Sequence, residues 1–359
     1  MAVRQRPTRV LIVDDSAIVR KLLADALRSA PDIEVVGVAA DPFIARDLIL
    51  QHDPDVITLD IEMPRMDGLT FLSRLMEHHP LPVIIVSSVT QSGSKAGVDA
   101  LAAGAIDVIA KPDGPYSVGQ IADKLRRRIR AISVGQPIRF APAQQTPPPS
   151  PPPAASGGLA SANGLILIGA SAGGTQAIEA VLTRLPAASP PILVVQHMPP
   201  QFTSAFAARL DRVCAMSVAE ARGEESLRRG TAYVAPGDFH LIVEPAGTEL
   251  RTALTDGAPV HYQRPAVDVL FHSAARLRGV SIVALLLTGM GADGAEGMVA
   301  LRNAGATTIA QDEESCVVFG MPGEAIARGG AAHVATLLAM PQLIADALVR
   351  RQAGGRRAS

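Results

Sequence analysis

Short apolar runs that each lead to a polar residue recur through the first third of this 359-residue chain. The runs VLIV, VITL, PVIIV and IDVIA are followed by Asp14, Asp60, Ser87 and Lys111, and Asp15 comes directly after Asp14. Runs of this length and composition are typical of parallel strands that are buried on both faces. Because an open parallel sheet binds ligands at the carboxyl ends of its strands, these polar side chains are predicted to meet in one crevice.

The chemistry of this predicted crevice favours a metal ion and phosphoryl transfer. Carboxylates held together repel one another unless a cation lies among them, and Mg²⁺ prefers oxygen ligands. Asp14 and Asp15 are adjacent and suit metal binding, whereas Asp60 ends its strand directly and can form an aspartyl phosphate. Lys111 and Ser87 can hold phosphoryl oxygens by charge and hydrogen bonding. Taken singly, each residue is explained more simply as a solvated loop residue.

Apolar residues at helical spacing follow the predicted strands. The first such set is Ile18, Val19, Leu22, Leu23, Ala26 and Leu27. The same strand-then-helix alternation continues to about residue 130. It predicts an α/β fold with a five-stranded, doubly wound parallel sheet.

A segment rich in proline, alanine, glycine and serine separates this unit from the rest of the chain. Residues 135–163 are nearly uncharged and cannot bury a core, so they are predicted to form a semi-extended tether. A chain of this length is also long for a single hydrophobic core. The predicted organisation is a first domain at 7–130, a linker at 131–163 and a second domain at 164–350.

The second half restarts the alternation of apolar runs and amphipathic stretches. LILIG, PILVVQH and SIVALLLTG read as parallel strands, and helices are predicted from Thr175, Gln201 and Asp293. Between them, TAYVAPGDFHLIVEP and TELRTAL predict short strands and an antiparallel hairpin. The second domain is therefore predicted to be doubly wound, with an antiparallel addition.

The first strand of the second half ends in the glycine-rich turn GASAGGT. Such a turn can bring backbone N–H groups to a phosphate, but its GxSxG spacing is also that of a nucleophile elbow that exposes Ser171. The next strand ends in Gln196 and His197 instead of the acidic residue that a dinucleotide site requires about 20 positions on. An imidazole at this place favours the elbow, because a serine nucleophile needs a general base.

A third strand end supplies a carboxylate. In SIVALLLTGMGADG, Asp293 is the first acidic residue after the apolar run, where it can hold a histidine in the correct tautomer. Considered alone, His197 is a satisfied polar residue at a core edge and Asp293 an N-cap of the helix that follows. Together with Ser171 they predict a catalytic triad, whose order along the chain differs from those of α/β hydrolases and serine proteases.

Composition limits the classes of partner and location. The formal net charge of −1 and the pI near 6.7 argue against a nucleic-acid surface. The chain has no apolar stretch of about 18 residues and no start that resembles a signal peptide, so a cytoplasmic location without membrane insertion is expected. Cys214 and Cys316 form neither a metal-binding spacing nor a disulfide framework.

The motifs of the first domain resemble the receiver domain of two-component response regulators. They are VLIVDDSAIVR, ITLDIEMPRMDGLTFL, VIIVSS and GAIDVIAKP. The resemblance implies a flavodoxin-like fold, phosphorylation of Asp60 by a histidine kinase and Mg²⁺ held by Asp14, Asp15 and Asp60. It also implies that Ser87 and Lys111 respond to the phosphoryl group.

The motifs of the second domain resemble the catalytic domain of chemotaxis protein-glutamate methylesterases. They are GASAGGT, VVQHMPPQFT, APGDFHL, TGMGADG and QDEESCVVFGMPGEAI. The resemblance implies Ser171 as the nucleophile, His197 as the base, Asp293 as its orienting carboxylate and the Met290 N–H in an oxyanion hole. It further implies methyl-accepting chemotaxis receptors as substrates, no cofactor in this domain and activation by phosphorylation, with glutamine deamidation as a second activity.

Two rival hypotheses remain from other functional classes. One is a response regulator whose second domain binds a nucleotide or a partner protein through GASAGGT and hydrolyses nothing. The other is a DNA-binding regulator, which the charge balance and the lack of a recognition-helix module disfavour.

Overall fold

The computed structural model describes residues 6–88, 90–111, 118–133 and 164–355. The chain divides into two compact units, residues 1–143 and 144–359. The predicted linker lies outside the described residues except for positions 131–133, which are the last turn of a helix.

The first unit is a parallel five-stranded sheet in the order β2-β1-β3-β4-β5. Its elements are β1 (Thr8–Val13), α1 (Ala17–Arg28), β2 (Ile33–Ala39), α2 (Pro42–His52), β3 (Val56–Leu59), α3 (Gly68–His78), β4 (Val83–Ser87), α4 (Gln91–Ala102), β5 (Asp107–Ala110) and α5 (Val118–Ser133). This strand order is that of flavodoxin-like folds, and the predicted architecture is confirmed. In the register of β1 and β3, Val13 pairs with Leu59, so the residues that follow both strands leave the sheet side by side.

Side chains at the helix starts of the first unit explain where several helices begin. Ser16, Asp41, Asp67 and Thr90 each accept a hydrogen bond from a backbone N–H in the first turn of α1, α2, α3 and α4. Caps of this kind stabilise a helix by about 1 kcal/mol each. In α1, α2 and α4 they fix the helix start within four residues of the preceding strand end, whereas α3 begins nine residues after Leu59.

The second unit contains a parallel seven-stranded sheet in the order β14-β13-β12-β6-β7-β9-β8 and a separate antiparallel pair, β10-β11. Its elements are β6 (Leu165–Ala170), α6 (Gly174–Leu182), β7 (Ile192–Gln196), α7 (Pro200–Val213), β8 (Ser217–Glu220), β9 (Thr231–Val234), β10 (His240–Ala246), β11 (Glu249–Thr255), α8 (Val267–Ala275), β12 (Ile282–Leu286), α9 (Ala295–Asn303), β13 (Thr307–Gln311), α10 (Met321–Ala327), β14 (His333–Ala335) and α11 (Met340–Gly355). The doubly wound sheet and the antiparallel hairpin agree with the prediction.

The central strands bring the second domain's candidate residues to one edge. β6 lies between β7 and β12, and every residue of these three strands is buried. The chain continues from β6 to one side of the sheet and later returns to the other side, which makes the carboxyl end of β6 a topological switch point. Ligands bind at such points in open α/β sheets.

Helix α8 packs closely on this centre because Gly169 in β6 has no side chain. A Cβ at Gly169 would lie 2.3 Å from Val267 Cγ1. Phe271 on the same helix is fully buried, and burial of such a side chain contributes about 1.5–3 kcal/mol. The N-terminus of α8 is thereby held at the edge where β6 and β12 end.

One predicted helix start is displaced for a reason that concerns the site. The helix predicted from Asp293 is α9, which begins at Ala295 because Gly294 forms its N-cap with φ +86°. Such a positive φ suits glycine and strains other residues. Asp293 therefore stays outside the helix, and its carboxylate is available for contacts elsewhere.

Candidate active site

Ser171 directly follows β6 on the turn that leads into α6. Its backbone N–H donates to the Thr288 carbonyl at 3.0 Å beyond β12, and its carbonyl accepts from Gln196 Nε2 at 2.8 Å on β7. Gly173 makes the turn possible, because its φ is +73° and a Cβ there would lie 2.6 Å from Val317. The strands on both sides thus fix the backbone of Ser171.

His197 and Asp293 form a buried pair at the same edge of the sheet. His197 follows β7, and its Nε2 lies 2.7 Å from Asp293 Oδ2. Because an ionised carboxylate only accepts hydrogen bonds, Nε2 carries the proton and Nδ1 of the neutral ring is unprotonated. His197 Nδ1 is buried and hydrogen-bonds to none of the described residues. It is the ring atom that can accept a proton.

Asp293 is held at the N-terminus of α8. Its Oδ2 accepts from Val267 N–H at 2.7 Å, and its Oδ1 accepts from Asp268 N–H at 2.9 Å. Burial alone would raise the pKa of Asp293, but hydrogen bonds from His197 and the two backbone groups hold the pKa below its ordinary value. Asp293 is therefore ionised at neutral pH. Asp293 caps α8. The alternative interpretation of the sequence, in which Asp293 caps the helix that follows it, is therefore wrong.

Backbone N–H groups that can bind an oxyanion lie in the turn that bears Ser171 and in the loop that follows β12. The N–H groups of Ser171 and Gly174 are engaged, because they donate to Thr288 and Ser171 carbonyls. Those of Ala172, Gly173 and Met290 donate to no acceptor in the described part of the chain. A tetrahedral intermediate needs such preorganised donors, and these three N–H groups are available for it.

Two buried polar residues near the N-terminus of α8 lie outside the set predicted from sequence. Asp268 accepts from Gly297 N–H at 2.7 Å and lies 3.1 Å from His261 Nε2, and burial raises its pKa. His240 Nδ1 accepts from Ala266 N–H at 3.1 Å at the start of α8. Of the two, only His240 lies in one of the family motifs, APGDFHL, and that motif does not state which backbone group its side chain binds.

In the first domain the structure brings Asp14, Asp60 and Lys111 together. Lys111 Nζ lies 2.7 Å from Asp60 Oδ2 and 2.9 Å from Asp14 Oδ2. Burial raises the pKa of Asp60 to about 6, although the Lys111 ammonium opposes this shift and the Asp14 charge adds to it. Asp60 is thus a buried carboxyl whose ionisation falls within the physiological range.

The same edge offers an oxygen donor set that fits Mg²⁺. Asp14, Asp15 and Asp60 each offer a carboxylate oxygen, and these oxygens lie within 4.8 Å of one another. Asp14 Oδ2 is buried and faces the Lys111 ammonium at 2.9 Å, so this oxygen already lies beside a positive charge, as an oxygen ligand of a cation does. Ser87 lies at the same edge, where its carbonyl accepts from Lys111 N–H at 2.7 Å and its hydroxyl contacts Gly93 O at 3.4 Å.

Comparison with known proteins decides the family. Residues 166–344 match the CheB methylesterase model and residues 10–122 the response regulator receiver domain model. A protein-glutamate methylesterase/protein-glutamine glutaminase from Syntrophus aciditrophicus is 51% identical over 342 residues, covering 95% of this chain and 98% of the relative. The chain belongs to this family.

Other relatives agree with this assignment. A protein-glutamate methylesterase/protein-glutamine glutaminase from Pseudomonas aeruginosa is 47% identical over 352 residues, covering 98% of this chain and 99% of the relative. The CheB methylesterase catalytic domain of Thermotoga maritima matches with a TM-score of 0.50 and 38% identity, covering 51% of this chain and 98% of that structure.

Family membership confirms the resemblance, the α/β fold class and the enzyme class. The chain is a carboxylic ester hydrolase of the protein-glutamate methylesterase class, and its relatives' names include the glutaminase activity. The rival hypotheses of a non-hydrolytic second domain and of a DNA-binding regulator are therefore wrong. The roles of individual residues stay predictions.

Proposed function

We propose that this enzyme removes methyl groups from glutamate methyl esters on chemotaxis receptors, with Ser171 as nucleophile, His197 as general base and Asp293 as the carboxylate that orients it. The observation that carries this proposal is the buried His197–Asp293 pair at the end of β7, the strand next to the one that leads to Ser171. In this pair His197 Nδ1 has no hydrogen bond to the described residues. Nucleophilic catalysis by serine needs such an unengaged base.

The proposed reaction follows from these groups. His197 Nδ1 takes the Ser171 hydroxyl proton as the oxygen attacks the ester carbonyl, and Asp293 stabilises the imidazolium that forms. The N–H groups of Ala172, Gly173 and Met290 stabilise the oxyanion. His197 then gives its proton to the leaving methoxide, methanol departs, and His197 activates the water that hydrolyses the acyl-serine. A glutamine side-chain amide can follow the same course, with ammonia as the leaving group.

A direct experiment tests this function. Purified enzyme is incubated with a membrane preparation of methylated chemoreceptor, with and without a small-molecule phosphodonor, and released methanol is measured. We expect methanol in both samples and more of it with the phosphodonor. Absence of methanol in both, with receptor methylation unchanged, would refute the proposed substrate.

The proposed role of the first domain is regulation by phosphorylation. Asp60 accepts a phosphoryl group from a chemotaxis histidine kinase, with Asp14 and Asp15 as further metal ligands. Mg²⁺, when bound, neutralises the charge on the phosphoryl oxygens. Lys111 and Ser87 then bind those oxygens, and the added charge changes the conformation of the domain. The carboxylate cluster and the raised pKa of Asp60 support this proposal.

Mg²⁺ affinity is expected to depend on pH through Asp60. The pKa of this carboxyl is about 6, so below that pH a proton competes with the metal, and the affinity should fall by roughly tenfold per pH unit. Isothermal titration calorimetry of the full chain between pH 5 and 7.5 measures this. Asp60→Asn is the control, in which weak binding should show little pH dependence. An affinity that is constant over this range in the wild type would contradict the prediction.

Asp60→Asn is expected to keep basal esterase activity and to lose all stimulation by a phosphodonor. The amide cannot form an acyl phosphate, and the second domain is unchanged. Methanol release with and without phosphodonor measures the effect. Asp47→Asn is the matched control, because Asp47 is an exposed carboxylate on α2 that pairs with Arg46. This variant should respond to the phosphodonor like the wild type. Equal stimulation of Asp60→Asn would disprove the switch while leaving the esterase intact.

The remaining assignments concern organisation and location. The domain boundaries at 7–130 and 164–350, with a linker at 131–163, are proposed from composition; α5 continues to Ser133 and α11 to Gly355. Among the described residues, no helix combines the length and hydrophobicity that crossing a bilayer requires. A cytoplasmic location is proposed because the kinase that would phosphorylate Asp60 uses ATP, which is found in the cytoplasm.

A further inference from the structure

Thr288 is hydrogen-bonded through every polar atom it has, and its partners lie on both sides of Ser171. It follows β12 and is 1% exposed. Its N–H donates to Gln311 Oε1 at 2.7 Å, and its carbonyl accepts from Ser171 N–H at 3.0 Å. Its hydroxyl lies 3.0 Å from the Ala172 carbonyl. One side chain therefore joins the turn that bears Ser171 to the loop that bears Met290.

The same hydroxyl holds the loop between β13 and α10. Thr288 Oγ1 accepts from Val317 N–H at 3.1 Å and from Val318 N–H at 2.9 Å. A hydroxyl has one proton and two lone pairs, so these acceptor contacts leave its proton for the Ala172 carbonyl at 3.0 Å, in preference to the Val318 carbonyl at 3.3 Å. The shorter distance thus assigns the hydroxyl proton to the Ala172 carbonyl.

The bond to Ala172 fixes the orientation of an N–H group. The carbonyl of Ala172 and the N–H of Gly173 belong to one planar trans peptide, so they point in opposite directions. When Thr288 binds the carbonyl, the Gly173 N–H is directed away from Thr288. Hydrogen bonding at the carbonyl also polarises the peptide and strengthens its N–H as a donor.

The Met290 donor is anchored in the same way. Its N–H shares a peptide with the Gly289 carbonyl, which accepts from Gly320 N–H at 3.0 Å and Met321 N–H at 2.8 Å. These donors follow the loop residues Val317 and Val318, which Thr288 holds. Two of the three peptides whose N–H groups are proposed for the oxyanion, Ala172–Gly173 and Gly289–Met290, are therefore oriented through their carbonyls.

We infer that the Thr288 hydroxyl is a positioning group of the oxyanion hole, because it orients the Ala172–Gly173 peptide and the loop that anchors the Gly289–Met290 peptide. The inference rests on the proposed role of Ser171. Thr288 itself does not touch the substrate; its effect is on transition-state stabilisation, so kcat should depend on it while KM should not.

Thr288→Val removes the hydroxyl and keeps the shape of the side chain. We expect kcat for methanol release to fall about 10- to 100-fold with KM within about threefold of the wild type, since misplacement by about 1 Å costs up to 10²-fold. The pH at half-maximal kcat should not move, because His197 and Asp293 are untouched. Thr288→Ser retains the hydroxyl and should recover kcat to within about threefold.

Thr308→Val is the matched control. Thr308 lies on the neighbouring strand β13, and its buried hydroxyl also joins backbone groups, donating to Gly330 O at 2.6 Å and accepting from Ala332 N–H at 3.0 Å. Its loss should lower stability as Thr288→Val does, but leave kcat within about threefold. If Thr288→Val does not fold, as judged by circular dichroism, Thr288→Ala takes its place in the assay. That variant removes the same hydroxyl and leaves room for a water molecule.

The outcomes separate the inference from the function on which it rests. The inference would be overturned if the kcat of Thr288→Val, or of Thr288→Ala in its place, equalled that of Thr308→Val. It would also be overturned if the substitution changed only KM, or if Thr288→Ser lowered kcat as much as Thr288→Val does. Ser171→Ala is assayed in parallel. If that variant turns over like the wild type, the triad proposal fails, whereas an inactive Ser171→Ala with a normal Thr288→Val refutes the positioning role alone.

Discussion

Ser171→Ala is expected to fold like the wild type and to release no methanol above background from methylated receptor. The substitution deletes the attacking oxygen, and loss of a triad nucleophile costs several orders of magnitude in kcat in serine hydrolases. The fold should persist because the neighbouring strands hold Ser171 through its backbone N–H and carbonyl, which alanine keeps. Methanol release and a thermal melt of the same sample measure the two effects.

Ser189→Ala provides the matched control for this variant. Ser189 is fully buried in the same domain, and its hydroxyl donates to the Pro186 carbonyl at 2.7 Å. Its replacement loses a buried hydroxyl outside the proposed site, so turnover should stay near that of the wild type. Wild-type turnover in Ser171→Ala would end the triad assignment.

Asp293→Asn is expected to lower kcat by about 10⁴-fold, the effect that the same change has in a serine protease triad. Either position of the amide NH₂ opposes a backbone N–H, that of Val267 or that of Asp268, so one of these hydrogen bonds is lost. An NH₂ in place of Oδ2 also faces His197 Nε2, which would then have to accept the hydrogen bond and carry its proton on Nδ1, where it could no longer take the Ser171 proton. The negative charge that stabilises the imidazolium is also lost. Steady-state kinetics on methylated receptor measures kcat and KM separately.

A second carboxylate that binds a backbone N–H serves as the control for Asp293→Asn. Asp211 Oδ1 accepts from Val218 N–H at 2.8 Å in the same domain, and Asp211→Asn keeps an oxygen for this bond. Its kcat should stay within about threefold, because surface substitutions of this kind have small effects. A similar kcat for Asp293→Asn would show that His197 needs no carboxylate partner.

Both predictions depend on residues whose proximity was inferable from short sequence segments. Apolar runs define β6, β7 and β12 locally, and parallel strands end at one edge of their sheet. The sequence alone therefore predicts Ser171, His197 and Asp293 at neighbouring strand ends. The same reasoning placed Asp14, Asp60 and Lys111 together in the first domain, where ion pairs of 2.7 and 2.9 Å join them.

Local pattern could not determine what each polar group binds. The N-cap alternative for Asp293 assumed the helix that follows it, yet its carboxylate caps α8, whose first residue precedes it by 26 residues. Likewise, the GASAGGT motif contains several backbone N–H groups, and only the structure shows that those of Ser171 and Gly174 are already engaged. Such contacts depend on distances between segments that are far apart in sequence.

The sequence by itself determined the α/β architecture, the edge of each sheet where chemistry is possible and the residue types available there. It could do so because hydrophobic period and turn composition are local properties. Only the tertiary structure decided which nitrogen of His197 faces Asp293, which N–H groups remain for an oxyanion and that Thr288 joins the two loops around Ser171. It also decided the raised pKa of Asp60, because burial and neighbouring charges exist only once the strands have packed together.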